Sequence, residues 1–367
     1  MKKQFIYGAG EYGKIMACYL VECRHEKVEA IIVSEGHKEL ECYQTPESLS
    51  GTCIPIIELE KNEGILKDAI CYMTLVAHKD EIVKKAIKVG GAKDGDVIDV
   101  LGDISEYRNS VLCAYLESRN ISIEGDYLEI KDIKMVNFMK DASLRGIFEG
   151  TVGDEILPQV YGDFSFTVDG PYIESEWGID LVEGDYVVDV GANLGLFSCY
   201  AANNGCHVYA CDPDTTCIEV LKKQKEIYPD NIEIVPLGLS DREGTQTFYE
   251  SSACSISSMY IPRGTITEKT IMIDTIDNLV KRGVIKKVDY IKADIEGAER
   301  YMLQGAVETL KNQKPKLSIC TYHFKDDPIV LEKIIKDANP DYVITHHWRK
   351  LYAYVPEEKK VVNKVFI

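Results

Sequence analysis

The chain has 367 residues, 45% of them apolar, and a formal net charge of −18. That length allows two domains and a substantial core. The negative charge argues against a nucleic-acid phosphate backbone as the main partner, because such binding is made largely by Lys and Arg. No run approaches the length of a membrane span, and Met1-Lys2-Lys3-Gln4 enters a strand without signal-peptide anatomy, so a cytoplasmic protein is expected. The 12 cysteines show no CxxC pairing and sit mostly among apolar neighbours, which indicates neither a zinc site nor a disulfide framework.

In chain order, Lys3 to Tyr7 reads as a strand, and Gly8-Ala9-Gly10-Glu11-Tyr12-Gly13 as a GxGxxG turn. A helix from Lys14 to Cys23 follows, then a strand from Val28 to Val33. Glu35 stands where an acid would contact a ribose. Such glycines also serve simply to bring a helix close to a strand, and Glu11 inside the loop would repel a pyrophosphate. Apolar strands at Ile70 to Ala77 and Val97 to Leu101 flank an amphipathic helix from Asp80 to Val89, with His78 at a strand end. Residues 1–105 are therefore expected to form a small Rossmann-like α/β domain. Residues 106–160 are expected to form a connecting or substrate-facing segment, with a helix at Tyr107 to Glu117, short strands around Ile121 and Leu128 and a helical stretch from Met139 to Phe148. A hairpin from Tyr161 to Val168 leads into a third region, 161–367.

That region holds the most informative stretch. Asp189 follows the apolar run Tyr186-Val187-Val188, and the turn Gly191-Ala192-Asn193-Leu194-Gly195 precedes an apolar helix. A second strand, His207 to Cys211, ends on Asp212, about 20 residues past the turn, where a carboxylate can accept both hydroxyls of a ribose. The turn lacks the GxGxxG order that cradles a pyrophosphate, which favours S-adenosylmethionine over a dinucleotide. Strands from Asn231 to Leu239 and Val288 to Ala293 end on Ser240-Asp241 and Asp294. Ligands in open α/β sheets lie outside the carboxyl ends of the strands, so Asp189, Gly191, Asn193, Gly195, Asp212, Ser240, Asp241 and Asp294 make up the expected cofactor site.

The segments Asp189-Val190-Gly191-Ala192-Asn193-Leu194-Gly195, Cys211-Asp212-Pro213, Leu239-Ser240-Asp241 and Lys292-Ala293-Asp294-Ile295-Glu296-Gly297-Ala298-Glu299 resemble the FkbM family of S-adenosylmethionine-dependent methyltransferases over roughly residues 160–355. The resemblance implies a class I Rossmann-like fold, with a seven-stranded sheet closed by an antiparallel hairpin. It also implies O-methylation of a sugar or polyketide hydroxyl. A sugar nucleotide, a polysaccharide precursor or a glycosylated metabolite would fit as acceptor. Two positions depart from the pattern. Position 212 is Asp where Glu is frequent, and the fifth strand runs into Thr321-Tyr322-His323 rather than an acid.

Deprotonating an acceptor hydroxyl calls for a base, and Asp294, Glu296 and His323 are the candidates. His323 is the strongest, because an unperturbed imidazole titrates near ~6.5. The same three residues, with Asp326 or Asp327, could hold Mg²⁺. Of His346 and His347, adjacent on a strand, at most one can face the site. Trp348 and Tyr322 could stack on a sugar. The alternative is a nucleotide- or sugar-nucleotide-binding protein that keeps the methyltransferase core as a scaffold.

Overall fold

The computed structural model describes residues 2–46, 49–75, 78–119, 121–141, 143–162, 170–251, 257–261 and 266–356. The chain divides into two compact units, the first holding residues 1–123 with a return at 160–168, the second residues 124–159 and 169–367.

In the first unit, alternating helices and apolar strands build a doubly wound sheet. Strands β1 (Lys3–Tyr7), β2 (Val28–Val33), β3 (Cys42–Gln44), β4 (Cys53–Glu58), β5 (Ala69–Met73) and β6 (Val97–Asp99) lie in the order β3-β4-β2-β1-β5-β6. All neighbours are parallel except the β3–β4 pair. The order reverses between β1 and β5, as the Rossmann pattern requires. Gly8 has φ +117°, and a Cβ at Gly13 would lie 1.8 Å from the Gly8 carbonyl oxygen, so the helix Glu11–Cys18 can dock on β1 only with glycine there. A Cβ at Gly10 would meet nothing within 4 Å.

At the division between the units comes β7 (Ser122–Glu124); β8 (Tyr127–Ile130) and β9 (Ile133–Val136) then form a hairpin. Only the first two of these strands were expected. The predicted helix at 139–148 lies further along, as Arg145–Thr151, a π-helical turn Val152–Ile156 and Leu157–Tyr161. Tyr161 is thus helical rather than the start of a strand, and the rest of the expected 161–168 hairpin falls outside the described residues beyond Gly162.

The main sheet of the second unit uses β10 (Tyr186–Val190), β11 (His207–Cys211) and β12 (Ile232–Val235). The expected third strand, 231–239, breaks at Pro236. Its end, β13 (Gly238–Leu239), instead joins β14 (Gly244–Ser251) and β15 (Ile266–Asp274) in a separate three-stranded sheet. Proline has no N–H to give a ladder, which explains the break. With β16 (Tyr290–Ala293), β17 (Lys316–Cys320), β18 (Val343–His347) and β19 (Lys350–Tyr354), the main sheet runs β12-β11-β10-β16-β17-β19-β18. Only β19 is antiparallel to its neighbours. This is the class I methyltransferase arrangement, a Rossmann-like sheet with a terminal antiparallel hairpin. Its core is continuous from Val188 and Val190 through Ile291 and Ala293 to Leu317 and Leu351. The carboxyl ends of β10, β11, β16 and β17 consequently share one edge.

Candidate active site

The turn after β10 is fixed by backbone approach. Gly191 has φ +73°, and a Cβ there would lie 2.1 Å from the Asp294 carbonyl oxygen. The loops leaving β10 and β16 are in contact because residue 191 has no side chain. Asn193, at φ +50°, takes the left-handed conformation that Asn tolerates better than most residues, and Gly195, at φ +75°, starts the helix Leu196–Asn203. Gln224 fastens the turn from outside. Its Nε2 donates to the Leu194 carbonyl at 3.0 Å, and its Oε1 accepts from the Val136 N–H on β9.

Asp189 and Lys292 form a buried pair beneath this turn. Lys292 Nζ lies 3.1 Å from Asp189 Oδ1 and donates to the Gly191 carbonyl at 2.8 Å, while Ser198 Oγ donates to Asp189 Oδ2 at 2.6 Å. Both side chains are almost fully buried. Burial would lower the Lys292 pKa, but Asp189, Glu155 and Asp294 outweigh it and raise it. Asp189 therefore braces the turn from below, with both oxygens engaged. A lysine inside the apolar strand 288–293 was the visible signal, since a buried ammonium requires a partner.

Asp212 sits as expected at the end of β11. Its Oδ2 accepts from the Asn193 N–H and its Oδ1 from the Asp214 N–H, each at 2.9 Å, which aims the carboxylate at the turn. Burial pushes its pKa up to about 7, partly offset by these two N–H groups. Ser240 is fully buried against the Asp274 carbonyl, and its Oγ donates to Asp241 Oδ1 at 3.2 Å.

At the end of β16 the loop 294–299 is organised by Glu299, whose oxygens accept from the Ile295 N–H at 2.8 Å and the Gly297 N–H at 3.1 Å. Glu296 stands in the left-handed region at φ +53°. His323 is buried among these acids. Its Nδ1 is 3.0 Å from Glu299, and its Nε2 is 3.6 Å from both Asp294 and Glu296. Burial alone would lower its pKa, but the three carboxylates raise it to about 10. A pKa raised in this way favours a protonated imidazole between three acids, a poorer base than the unperturbed imidazole expected from the sequence.

Asp294 accepts from the Tyr172 hydroxyl at 3.0 Å and the Tyr322 hydroxyl at 3.1 Å. Burial would raise its pKa, yet His323, Lys292 and Lys350 hold it below the usual value. No sequence pattern marks Tyr172 as a site residue. The structure fixes it through its own carbonyl, which accepts from Tyr290, and through Lys350 and Tyr352, which donate to the carbonyls of Gly170 and Pro171. Tyr322, expected to stack on a sugar, has two partners. Its ring does carry the Arg349 guanidinium, 4.0 Å from the centroid, while its hydroxyl serves Asp294.

Asp294, Glu299 and His323 place ligand atoms within 4.8 Å of one another, the one such group among the described residues. These donors already have partners: Glu299 accepts from two backbone N–H groups and Asp294 from two tyrosine hydroxyls, and an ion here would have to displace the proton that the three acids favour on His323. Glu296 belongs to the expected ligand set but not to this group. Asp326 and Asp327 are taken by Arg300. His346 pairs with Glu332 and His347 packs on Trp177, so neither joins Asp294. His78 is exposed on a loop in the first unit.

Among the described residues no helix is long and apolar enough to cross a membrane. Residues 189–351 match the methyltransferase FkbM domain. The hexuronic acid methyltransferase AglP of Haloferax volcanii is 28% identical over 164 residues, which cover 44% of this chain and 66% of that protein, just under two thirds of its length. Among solved structures, methyltransferase FkbM from Methylobacillus flagellatus is similar over 96% of this chain and 90% of its own, at 18% identity and a TM-score of 0.43. Fibrillarin from Aeropyrum pernix is similar over 48% of this chain and 68% of its own, at 12% identity and a TM-score of 0.31. The segment from Asp189 to Leu351, carrying the braced turn, Asp212 and the acid-rich loop after β16, is the part of the chain that matches the methyltransferase FkbM domain.

Proposed function

We propose that the chain transfers a methyl group from S-adenosylmethionine to an oxygen of a sugar-containing acceptor. The observation that carries the donor is Asp212, a carboxylate held by two backbone N–H groups at the lip of the Gly191–Gly195 turn. Its remaining lone pairs can accept the two ribose hydroxyls. The sugar acceptor is supported by the relative named for hexuronic acid.

The sulfonium of the donor, when bound, supplies an electrophilic methyl group. Asp212 orients the ribose, and the Gly191–Gly195 turn presents backbone to the nucleoside. Alignment of the two substrates supplies most of the acceleration, and proton removal the rest. Asp294 and Glu296, at the end of β16, are the carboxylates available to the acceptor's hydroxyl proton. His323, as a cation between them, keeps Asp294 ionised and fixed, with Tyr172 and Tyr322 completing its position. In this reading His323 is a positioning residue.

Calorimetric titration with S-adenosylmethionine, and separately with NAD, tests the donor. Micromolar binding of the first, lost in Asp212→Ala, is expected; unchanged affinity in that variant would remove the assignment. Transfer of labelled methyl to a hexuronic acid oligosaccharide, compared with its neutral counterpart, tests the acceptor. A second reading places Mg²⁺ at Asp294, Glu299 and His323, supported by their spacing. It requires His323 to give up its proton, and activity that survives a chelator excludes it.

A further inference from the structure

The donor reading leaves one charge on the ligand without a partner. The methionine end of S-adenosylmethionine carries an α-ammonium, and a cation taken out of water needs an acceptor. The acids nearest the turn have partners or other roles: Asp189 pairs with Lys292 and Ser198, Glu299 accepts from backbone N–H groups, and Asp294 and Glu296 flank His323 on the acceptor side. Asp212 faces the ribose side.

Glu155 is placed differently. It lies in the π-helical turn Val152–Ile156, between the helices Arg145–Thr151 and Leu157–Tyr161. That turn packs on the helix Leu196–Asn203, the one that begins at Gly195. Single π-turns are rare and concentrate at functional sites, because the extra residue turns a side chain out of helical register. Val152, Ile156 and Leu157 are buried and anchor the turn, while Glu155 is half-buried. The charges that act on its carboxyl are Lys292, Asp294, Asp189 and Lys350, which puts it in the charged cluster at the ends of β10 and β16. Among the described residues it has no hydrogen bond or ion pair of its own. Burial pushes its pKa up to about 7, with Lys292 opposing and Asp294 and Asp189 adding to the rise.

We propose that Glu155 is a donor-binding residue that pairs with the α-ammonium at the methionine end of S-adenosylmethionine, a contribution from the segment ahead of the FkbM domain. The proposal rests on the donor reading given above. It makes the helical segment 145–159 part of the cofactor site and gives its π-turn a purpose.

Two probes separate the ammonium from the rest of the donor. S-adenosylhomocysteine keeps it, whereas 5′-methylthioadenosine shares the nucleoside and the sulfur but lacks the amino-acid end. Calorimetry on wild type, Glu155→Gln and Glu155→Asp is the experiment. Glu155→Gln is expected to weaken S-adenosylhomocysteine by about 10- to 100-fold, the loss of one charge-assisted hydrogen bond, and to leave methylthioadenosine unchanged. Glu155→Asp, which keeps the charge, should recover part of the loss. Equal weakening of both probes, or no weakening of either, overturns the role of Glu155. A wild-type protein that binds neither probe overturns the donor reading itself, and the two failures are thereby distinct.

Discussion

The chain makes the same strand, glycine turn and helix twice, after β1 and after β10, and the two copies differ in what surrounds them. In both, a glycine is demanded by backbone: Gly13 lies against the Gly8 carbonyl, Gly191 against the Asp294 carbonyl. Around the first turn the acids serve the fold. Glu60 and Glu58 accept from the N–H groups of Glu35 and Gly36, and Glu35, in the ribose-contacting place, is exposed. Around the second turn lie a buried Lys–Asp pair, a carboxylate aimed at the turn and a histidine among three acids. A glycine turn is therefore first a packing solution, and charged groups buried around it are what mark a site.

The largest effect that could break this contrast is in donor binding. Asp212→Ala should weaken S-adenosylmethionine by about 100-fold or more, as expected for two lost hydrogen bonds to a charged acceptor. A Gly10→Glu change, at the open position of the first turn, should leave that affinity unchanged in the same titration. Next are the shared glycines. Gly191→Ala and Gly13→Ala should each cost about 3 kcal/mol or more by thermal or urea unfolding, since each new Cβ falls far inside van der Waals contact with a carbonyl oxygen, while Gly10→Ala should cost less than about 0.5 kcal/mol.

His323→Gln removes a cation from between three acids and should destabilise by about 3 kcal/mol. Because the folded pKa is raised to about 10 from 6.5, the contribution of His323 is fully present below pH ~6.5 and fades as pH rises through about 10. The gap in melting temperature between wild type and variant should close over that window. A pH–rate limb near 6.5 that disappears in the variant would restore His323 as the base.

Asp212, raised to about 7, gives a smaller effect of the opposite kind. In the proposed donor site its ionised form would accept the ribose hydroxyls, so affinity should fall as pH drops below about 7, by up to about tenfold per unit. Glu155 titrates in the same range, and adenosine, which has no ammonium, isolates the Asp212 limb. In the folded, ligand-free protein the raised value makes stability decline as pH rises from about 4 to 7. The smallest expected effect is that of a chelator, which should leave turnover unchanged.

Much of the scaffold was legible because it follows from apolar periodicity punctuated by glycine and acid. Strands β2 and β11 fall where the sequence put them, and Asp212 stands at its strand end. What escaped was set by contacts distant in sequence. Tyr172 reaches Asp294 only because residues of β16 and β19 hold its backbone. The charge on His323 depends on acids from another strand end, which no local pattern reveals. The strands β14 and β15 carry too much polar surface to read as apolar runs, since one face of their small sheet is exposed. Glu155 has only a π-turn to mark it, and a π-turn has no residue signature.

The most direct test of the account is the stoichiometry of S-adenosylhomocysteine binding by calorimetry in wild type, Asp212→Ala and Gly10→Glu. One equivalent at micromolar affinity is predicted for wild type and for Gly10→Glu, and binding weaker by about 100-fold or more for Asp212→Ala. Unchanged affinity in Asp212→Ala, or binding that disappears in Gly10→Glu, would contradict the claim that the second turn alone is the donor site.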